Sequence, residues 1–422
     1  MGMDPVARGL AVVELLQQER FEEVCELFAP ELAAHVSTAV LGPPWKAMLQ
    51  SQGPIAEVGA PVADPADAAT TVRLPVRCKR GGFAVIVAVD GRGRLLSLRL
   101  GPIEAAAPLE PWATPDYVHT EGFTESEVTV GDGPLAVPGT LALPTSPGPL
   151  PAVVLLAGSG PADRDGTIGR NKVLKDLAWG LASRGIATLR FDKVTYTHRD
   201  AHPDDPTLAY EYVNDAVAAV ALLRAHPSID SGRILVLGHS EGGMVAPRIA
   251  AADPSVAGLV ILAGSTQPLH HTMIRQIRYL ASLRPDADAD ADPSVREITR
   301  QAAVIDGPDF SAATPADDLP FGVPASYWID LLAYDPAATA AALTIPMFIA
   351  QGGRDYQVTV ADDLPAWRAA LSDRDDVTIR VYEPDNHLFF PGSGPSTPAE
   401  YEPAQHVDPE LVADIADWIA SR

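Results

Sequence analysis

Along this chain the spacing of apolar positions changes several times, and each change marks a different kind of structure. Val6, Leu10, Val13 and Leu16 share one face at helical spacing over residues 6–20, and Phe21, Val24, Leu27 and Phe28 continue that period towards Val36. Pro30 suits the first turn of a new helix. Pro43-Pro44-Trp45 is expected to break the pattern before a further short helix that ends near Gln50. From Val58 the period changes. Thr70–Val76, Phe83–Val89 and Leu95–Leu100 predict three strands, with Gly81-Gly82 and Asp90-Gly91 at the turns. Helices followed by a meander predict a small α+β domain over residues 1–105. A Pro- and Ala-rich linker over 106–121 follows.

The remainder, residues 122–422, alternates strand and helix. Phe123–Val130 and Gly139–Leu143 read as an antiparallel pair at a sheet edge, and Ala152–Ala157 is a continuous apolar run of buried-strand type. Helix then strand repeats through 171–184, 186–191, 210–225, 234–237, a helix ending near Ala252, and Val256–Ala263. The alternation resumes at Ile345–Ala350, 359–371, Val377–Tyr382 and 408–420. The fold class expected is α/β, a mostly parallel doubly wound sheet covered on both faces. Between 264 and 342 the alternation lapses into helical stretches at 267–283, 294–305 and 325–342. The acidic run Asp286–Asp292 there is expected to be mobile and solvent-facing. An insertion of this size between two strands suits a helical cap over a site.

Chemistry concentrates at Ile234–Gly243. An apolar strand ends in Gly238-His239-Ser240-Glu241-Gly242, and a helix follows. Strand, tight turn and helix with a serine at the apex is a nucleophile elbow, whose glycines permit the close approach that a side chain would block. A serine hydroxyl needs a base and an orienting acid. Both are expected just past strand ends. Asp355 follows the strand at 345–350 and His387 follows the strand at 377–382. Asp385 is an alternative acid, but it stands too close to His387 in the chain to reach its ring easily. An oxyanion site needs two donors. The Glu241 N–H is one candidate, and the N–H of Ser159 or Gly160, in the loop after Leu156, is the other. Asp163, Arg164 and Asp165 are expected to brace that loop.

His239 is expected to pack or bond locally, and His198, His202 and His226 to lie in surface loops. His270, His271, Tyr327, Trp328 and Tyr356 are candidates to line the substrate site. No residue group has metal-site spacing, no dinucleotide fingerprint is present, and no Gly-Lys-Ser/Thr closes a phosphate loop. Neither a metal nor a cofactor is expected. The formal net charge of -24, from 55 acidic and 31 basic residues, repels nucleic acid and anionic lipid. Cys25 and Cys78 imply no disulfide framework. With no leader-like segment and no run of 18 apolar residues, a cytoplasmic protein without membrane insertion is expected.

Three stretches carry a family resemblance. These are Gly158-Ser159-Gly160-Pro161 with Asp163-Arg164-Asp165, then Phe191-Asp192-Lys193, and Gly238–Gly243. With them, residues 122–422 resemble the α/β-hydrolase superfamily, and more closely bacterial serine esterases related to dipeptidyl-peptidase-like hydrolases. The resemblance implies a triad of Ser240, Asp355 and His387, an oxyanion loop at Gly158–Gly160, and cleavage of carboxylic esters with small or medium acyl groups. Residues 1–105 resemble the nuclear-transport-factor type of α+β domain. Two roles are open for it, dimerisation (hence a homodimer) and a substrate lid. One departure stands out. The family's Asp-Lys-Arg is here Asp192-Lys193-Val194, so the arginine of that loop is replaced. Acyl transfer, cyclisation or lactone chemistry, peptidase or amidase activity, and a non-catalytic binding role remain open beside ester hydrolysis.

Overall fold

Strands that are apolar on both faces set the architecture of the larger part of the chain. The structure is a computed structural model and describes residues 4–422 except 34, 35, 37, 66–68, 108–111, 200, 202, 204 and 285–287, so His202 lies outside the described residues. The chain divides into two units, residues 1–111 and 112–422.

In the larger unit, eight strands form one sheet: β1 (Phe123–Val130), β2 (Val137–Pro144), β3 (Leu150–Leu156), β4 (Ala187–Phe191), β5 (Ile229–His239), β6 (Gly258–Leu262), β7 (Met347–Gly352) and β8 (Val377–Tyr382). Their order is β8-β7-β6-β5-β3-β4-β2-β1. From β4 to β8 every pairing is parallel, while β2 meets β4 antiparallel and β1 closes the edge as an antiparallel hairpin partner. Period-two alternation sends Ala152, Val154 and Leu156 of β3 into one core and Val153 and Leu155 into the other. Val236 and Leu237 of β5 divide in the same way.

Helices cover both faces. On the first face lie α2 (Asn214–Ala225), α3 (Glu241–Ala252) and α8 (Leu364–Ala370), and on the second α1 (Val173–Ala182) and α9 (Pro409–Ala420). Among the described residues, four α-helices stand between β6 and β7 as the cap: α4 (Leu269–Ser282), α5 (Pro293–Ile305), α6 (Ala325–Leu332) and α7 (Pro336–Ala342). The stretch 325–342, read as one helix, is two, because Asp335 caps a new start by accepting from the Ala338 N–H, with Pro336 in its first turn. In the described part of the acidic run, carboxylates accept from nearby backbone N–H groups. Asp288 accepts from Asp290 N–H and Asp292 caps α5.

The chain steps from β3 to β4 on one side and then to β5 on the other. The loops after β3 and β5 therefore diverge from a switch point of the topology, where an open sheet leaves a crevice. Trp112, ahead of β1, is fixed on this unit, its indole N–H donating to Asp176.

In the smaller unit, helices Pro5–Gln17 and Thr38–Gln52 accompany five antiparallel strands, Ile55–Val58, Val62–Pro65, Ala69–Cys78, Gly82–Asp90 and Leu95–Pro102. The first two were not foreseen as strands. The expected break at Pro43-Pro44 does not occur, and the helix runs through both prolines. Trp45 holds it in place, buried edge-on against Phe83, while Val40, whose carbonyl loses its helical partner at Pro44, stands in solvent. Cys25 and Cys78 are free thiols. No helix among the described residues is long and apolar enough to cross a membrane.

Candidate active site

The turn after β5 is built by close approach. A Cβ on Gly238 would lie 2.1 Å from the Gly242 carbonyl oxygen, and one on Gly242 would lie 2.5 Å from that of Ala157. No side chain fits either place. Between them Ser240 is held at φ 57° and ψ -121°, left-handed territory that a serine rarely occupies. Its N–H is tied to the Leu262 carbonyl at 2.8 Å. Glu241 opens α3, so its amide is one of those that a helix cannot satisfy internally.

Three side chains from three strand ends meet here. His387 Nδ1 lies 2.7 Å from Asp355 Oδ2, and its Nε2 lies 3.0 Å from Ser240 Oγ. A carboxylate only accepts, so Nδ1 carries the hydrogen. In the neutral ring Nε2 is then the acceptor and the Ser240 hydroxyl donates to it. Asp355 is itself held by the amides of Gln357 (2.7 Å) and Val358 (3.0 Å) and by the Gln351 side chain (3.0 Å). The loops after β7 and β8 are laced together by Gly353 N–H to the Tyr382 carbonyl and Arg354 N–H to the Asp385 carbonyl. Asp385 does not meet the ring. It is buried, and burial together with Asp408 and Glu410 pushes its carboxyl up to about 7.

His239 bonds farther than its own turn. Its Nε2 lies 2.8 Å from the His387 carbonyl, so that nitrogen carries the hydrogen and donates. Burial, followed by the neighbouring His387, lowers its pKa to about 4 and keeps it neutral.

A cavity of about 620 Å³ begins at Ser159, Gly160 and Glu241, beside Ser240. Its far wall is apolar: Met273 and Ile277 of α4, Val323 and Pro324, and Tyr327 and Trp328 of α6. Helical periodicity explains which part of α4 takes part. Met273 stands four residues after Leu269, and Gln276 and Ile277 stand three and four after Met273, so they share a face. His270 and His271 point elsewhere and do not line this cavity. Both donate from Nε2 to the carboxylate of Asp306, at 2.9 and 2.8 Å. These three residues are a group that could hold a metal ion, one that spacing along the chain did not suggest. Tyr356 is also absent from the cavity wall, stacked at 4.9 Å on Tyr279. Tyr327 and Trp328 do line it.

The loop after β3 is braced, though not by its own charges pairing. Arg164 binds Asp192 and Glu127, while Asp165 binds Lys172 and Arg190. Behind the loop lies a buried cluster of Lys193, Glu211, Tyr212 and Glu241, with the Tyr327 hydroxyl donating to Glu211 at 2.8 Å. Lys193 was visible in the chain only as part of a motif. Tyr212 and Glu211 sit on an otherwise apolar helical run and gave no separate signal. His198 bonds the Ala136 carbonyl, and His226 accepts from Ser228 N–H in a turn.

Residues 165–390 match the family described as serine aminopeptidase S33. Over 407 residues the chain is 34% identical to esterase EstD of Thermotoga maritima, covering 96% of this chain and 93% of that one. It is 29% identical over 188 residues to acyl-coenzyme A thioesterase 1 of Homo sapiens, covering 43% of this chain and 40% of the relative. Among solved structures, a Pyrococcus furiosus esterase is similar with a TM-score of 0.47 at 16% identity, covering 74% of this chain and 94% of that one.

Proposed function

The chain belongs to the serine aminopeptidase S33 family of α/β-hydrolases, and we propose that it is a serine esterase for neutral carboxylic esters with an apolar acyl chain. The observation that carries this reading is the run of hydrogen bonds Ser240–His387–Asp355, beside a cavity with an apolar wall.

Ser240 Oγ attacks the ester carbonyl carbon as its proton passes to His387 Nε2. The carbonyl oxygen becomes an oxyanion, held by the N–H groups of Glu241 and of the β3 loop. Asp355 keeps the imidazolium oriented. The C–O bond to the alcohol breaks, and His387 returns its proton to the departing alkoxide. A water molecule then attacks the acyl-enzyme and gives its proton to the same nitrogen. The acid leaves and Ser240 recovers its hydrogen.

The cavity wall favours a neutral substrate over one carrying an ammonium group. Glu211 already pairs with Lys193, and Glu241 Oε2 stands 2.8 Å from the Tyr212 hydroxyl, with burial raising its pKa. Neither is a free carboxylate for an amine.

A series of p-nitrophenyl esters of increasing acyl length tests the reading, with aminoacyl p-nitroanilides alongside. Each buried methylene is worth about 0.8 kcal/mol, or about fourfold in kcat/KM. The expected result is a rise with chain length until the cavity is full. Turnover confined to the anilides would overturn it.

A further inference from the structure

The peptide between Gly158 and Ser159 stands close to both the nucleophile and a buried cation. A Cβ built on Gly158 would lie 3.2 Å from Ser240 Cβ and 3.6 Å from its Oγ. Lys193 Nζ and the Tyr212 hydroxyl both bond the Gly158 carbonyl oxygen, at 3.0 and 2.7 Å. Both side chains are buried.

Lys193 has three hydrogens to give. One goes to the Gly158 carbonyl, one to the Tyr212 hydroxyl at 2.7 Å and one to the Glu211 carboxylate at 2.5 Å. Each donor therefore has an acceptor, and the countercharge fixes the ammonium where it stands. The Tyr212 hydroxyl accepts from Lys193 and has one proton of its own. It lies 2.8 Å from Glu241 Oε2 as well as against the Gly158 carbonyl, so that proton serves one of the two oxygens at a time.

A peptide bond is planar, and no cis bond occurs among the described residues. In a trans peptide the N–H points opposite to the C=O. With the Gly158 carbonyl fixed in the cluster, the Ser159 N–H is turned the other way, out of the cluster. Ser159 and Glu241 both line the cavity beside Ser240. A glycine-rich loop would otherwise flip this peptide readily. A cationic donor on the C=O also polarises the peptide and strengthens its N–H as a donor.

We propose that Lys193 and Tyr212 clamp the Gly158 carbonyl and so aim the Ser159 N–H, rather than that of Gly160, at the oxyanion. They are positioning residues for the ester hydrolysis proposed above, on which this inference rests. The loop's glycines supply access, and the cluster behind it supplies direction.

The test uses the full chain and a trifluoromethyl ketone labelled with carbon-13 at its carbonyl. Ser240 adds to that carbon to form a hemiketal, whose oxygen occupies the oxyanion position. Wild type is compared with Tyr212→Phe, Lys193→Met and the pair Lys193→Met/Glu211→Gln. The pair removes the cation together with the carboxylate it pairs with. Near-UV circular dichroism checks each fold. Loss of one oxyanion donor costs about 10²–10³-fold, so the pair is expected to bind the ketone about 10²-fold more weakly. Its kcat is expected to fall in parallel, with KM for the ester little changed. The hemiketal hydroxyl is expected to titrate at least about one pH unit higher, since one unit corresponds to a tenfold change. Tyr212→Phe is expected to move the same way by about tenfold, and it carries the test if neither Lys193 variant folds. Folded variants with wild-type ketone affinity and an unmoved hemiketal titration would overturn the clamp. No adduct on wild type would sink the esterase reading first and the clamp with it.

Discussion

Two aspartates stand near His387, and their surroundings assign them different work. Asp355 receives two backbone amides, an amide side chain and the ring N–H. Its substitution by Asn offers His387 Nδ1 a donor in place of an acceptor and favours the wrong tautomer. In Asp355→Asn, steady-state kinetics are expected to show kcat lower by about 10³–10⁴-fold with KM nearly unchanged. Asp385 is buried as Asp355 is, but its carboxyl is raised to about 7, chiefly by burial. The folded chain therefore keeps this proton to higher pH than the unfolded chain does. Its contribution to stability is full below about pH 4 and is lost as pH rises towards 7. Thermal melts of Asp385→Asn are expected to exceed wild type by about 5 °C at pH 8, with the gap closing below about pH 4. Ser240 and Asp355 were legible in the chain because each follows an apolar run of buried-strand type, and His387 because it follows the strand pattern of Val377–Tyr382. The Lys193 cluster was not, since what joins Lys193, Glu211 and Glu241 is the packing of segments far apart in sequence.

At the scale of elements, the sheet was legible for a physical reason. Strands buried on both faces read as unbroken apolar runs, as Ala152–Leu156 and Ile234–Leu237 do. The cap was harder, since which face of an amphipathic helix meets the cavity depends on tertiary placement. On α4 the histidines drew attention, but the Leu269, Met273, Ile277 face lines the cavity while His270 and His271 bond Asp306. The helix through Pro43 and Pro44 shows the opposite failure, where a buried tryptophan outweighs a local breaker. The α4 face gives a sharp prediction. Ile277→Trp is expected to lower kcat/KM at least about tenfold for long acyl esters, by excluding two or more methylenes of about fourfold each. Acetyl esters should be hydrolysed as by wild type. Equal losses at every chain length would show that Ile277 does not bound the acyl chain.

For the whole molecule, each unit has its own core. Val12, Trp45, Leu74 and Val87 belong to that of the first unit, while Val154 with Ile261 and Leu237 with Phe348 belong to the cores on the two faces of the second unit's sheet. Every residue of the candidate site lies between Gly158 and His387. Residues 112–422 expressed alone are therefore expected to unfold cooperatively and to retain the reactive serine. A chain that stays unfolded without the first 111 residues would contradict this. The net charge of -24 bears on solubility and partners rather than on the chemistry at Ser240.

Intact-mass measurement after treatment with a fluorophosphonate, on wild type and Ser240→Ala in parallel, tests the hydrogen-bonded serine most directly. Phosphonylation of Ser240 Oγ expels fluoride, and His387 takes the proton. One adduct on wild type and none on the variant is the expected result. Equal labelling of both, or no labelling of well-folded wild type, would contradict an activated nucleophile at Ser240.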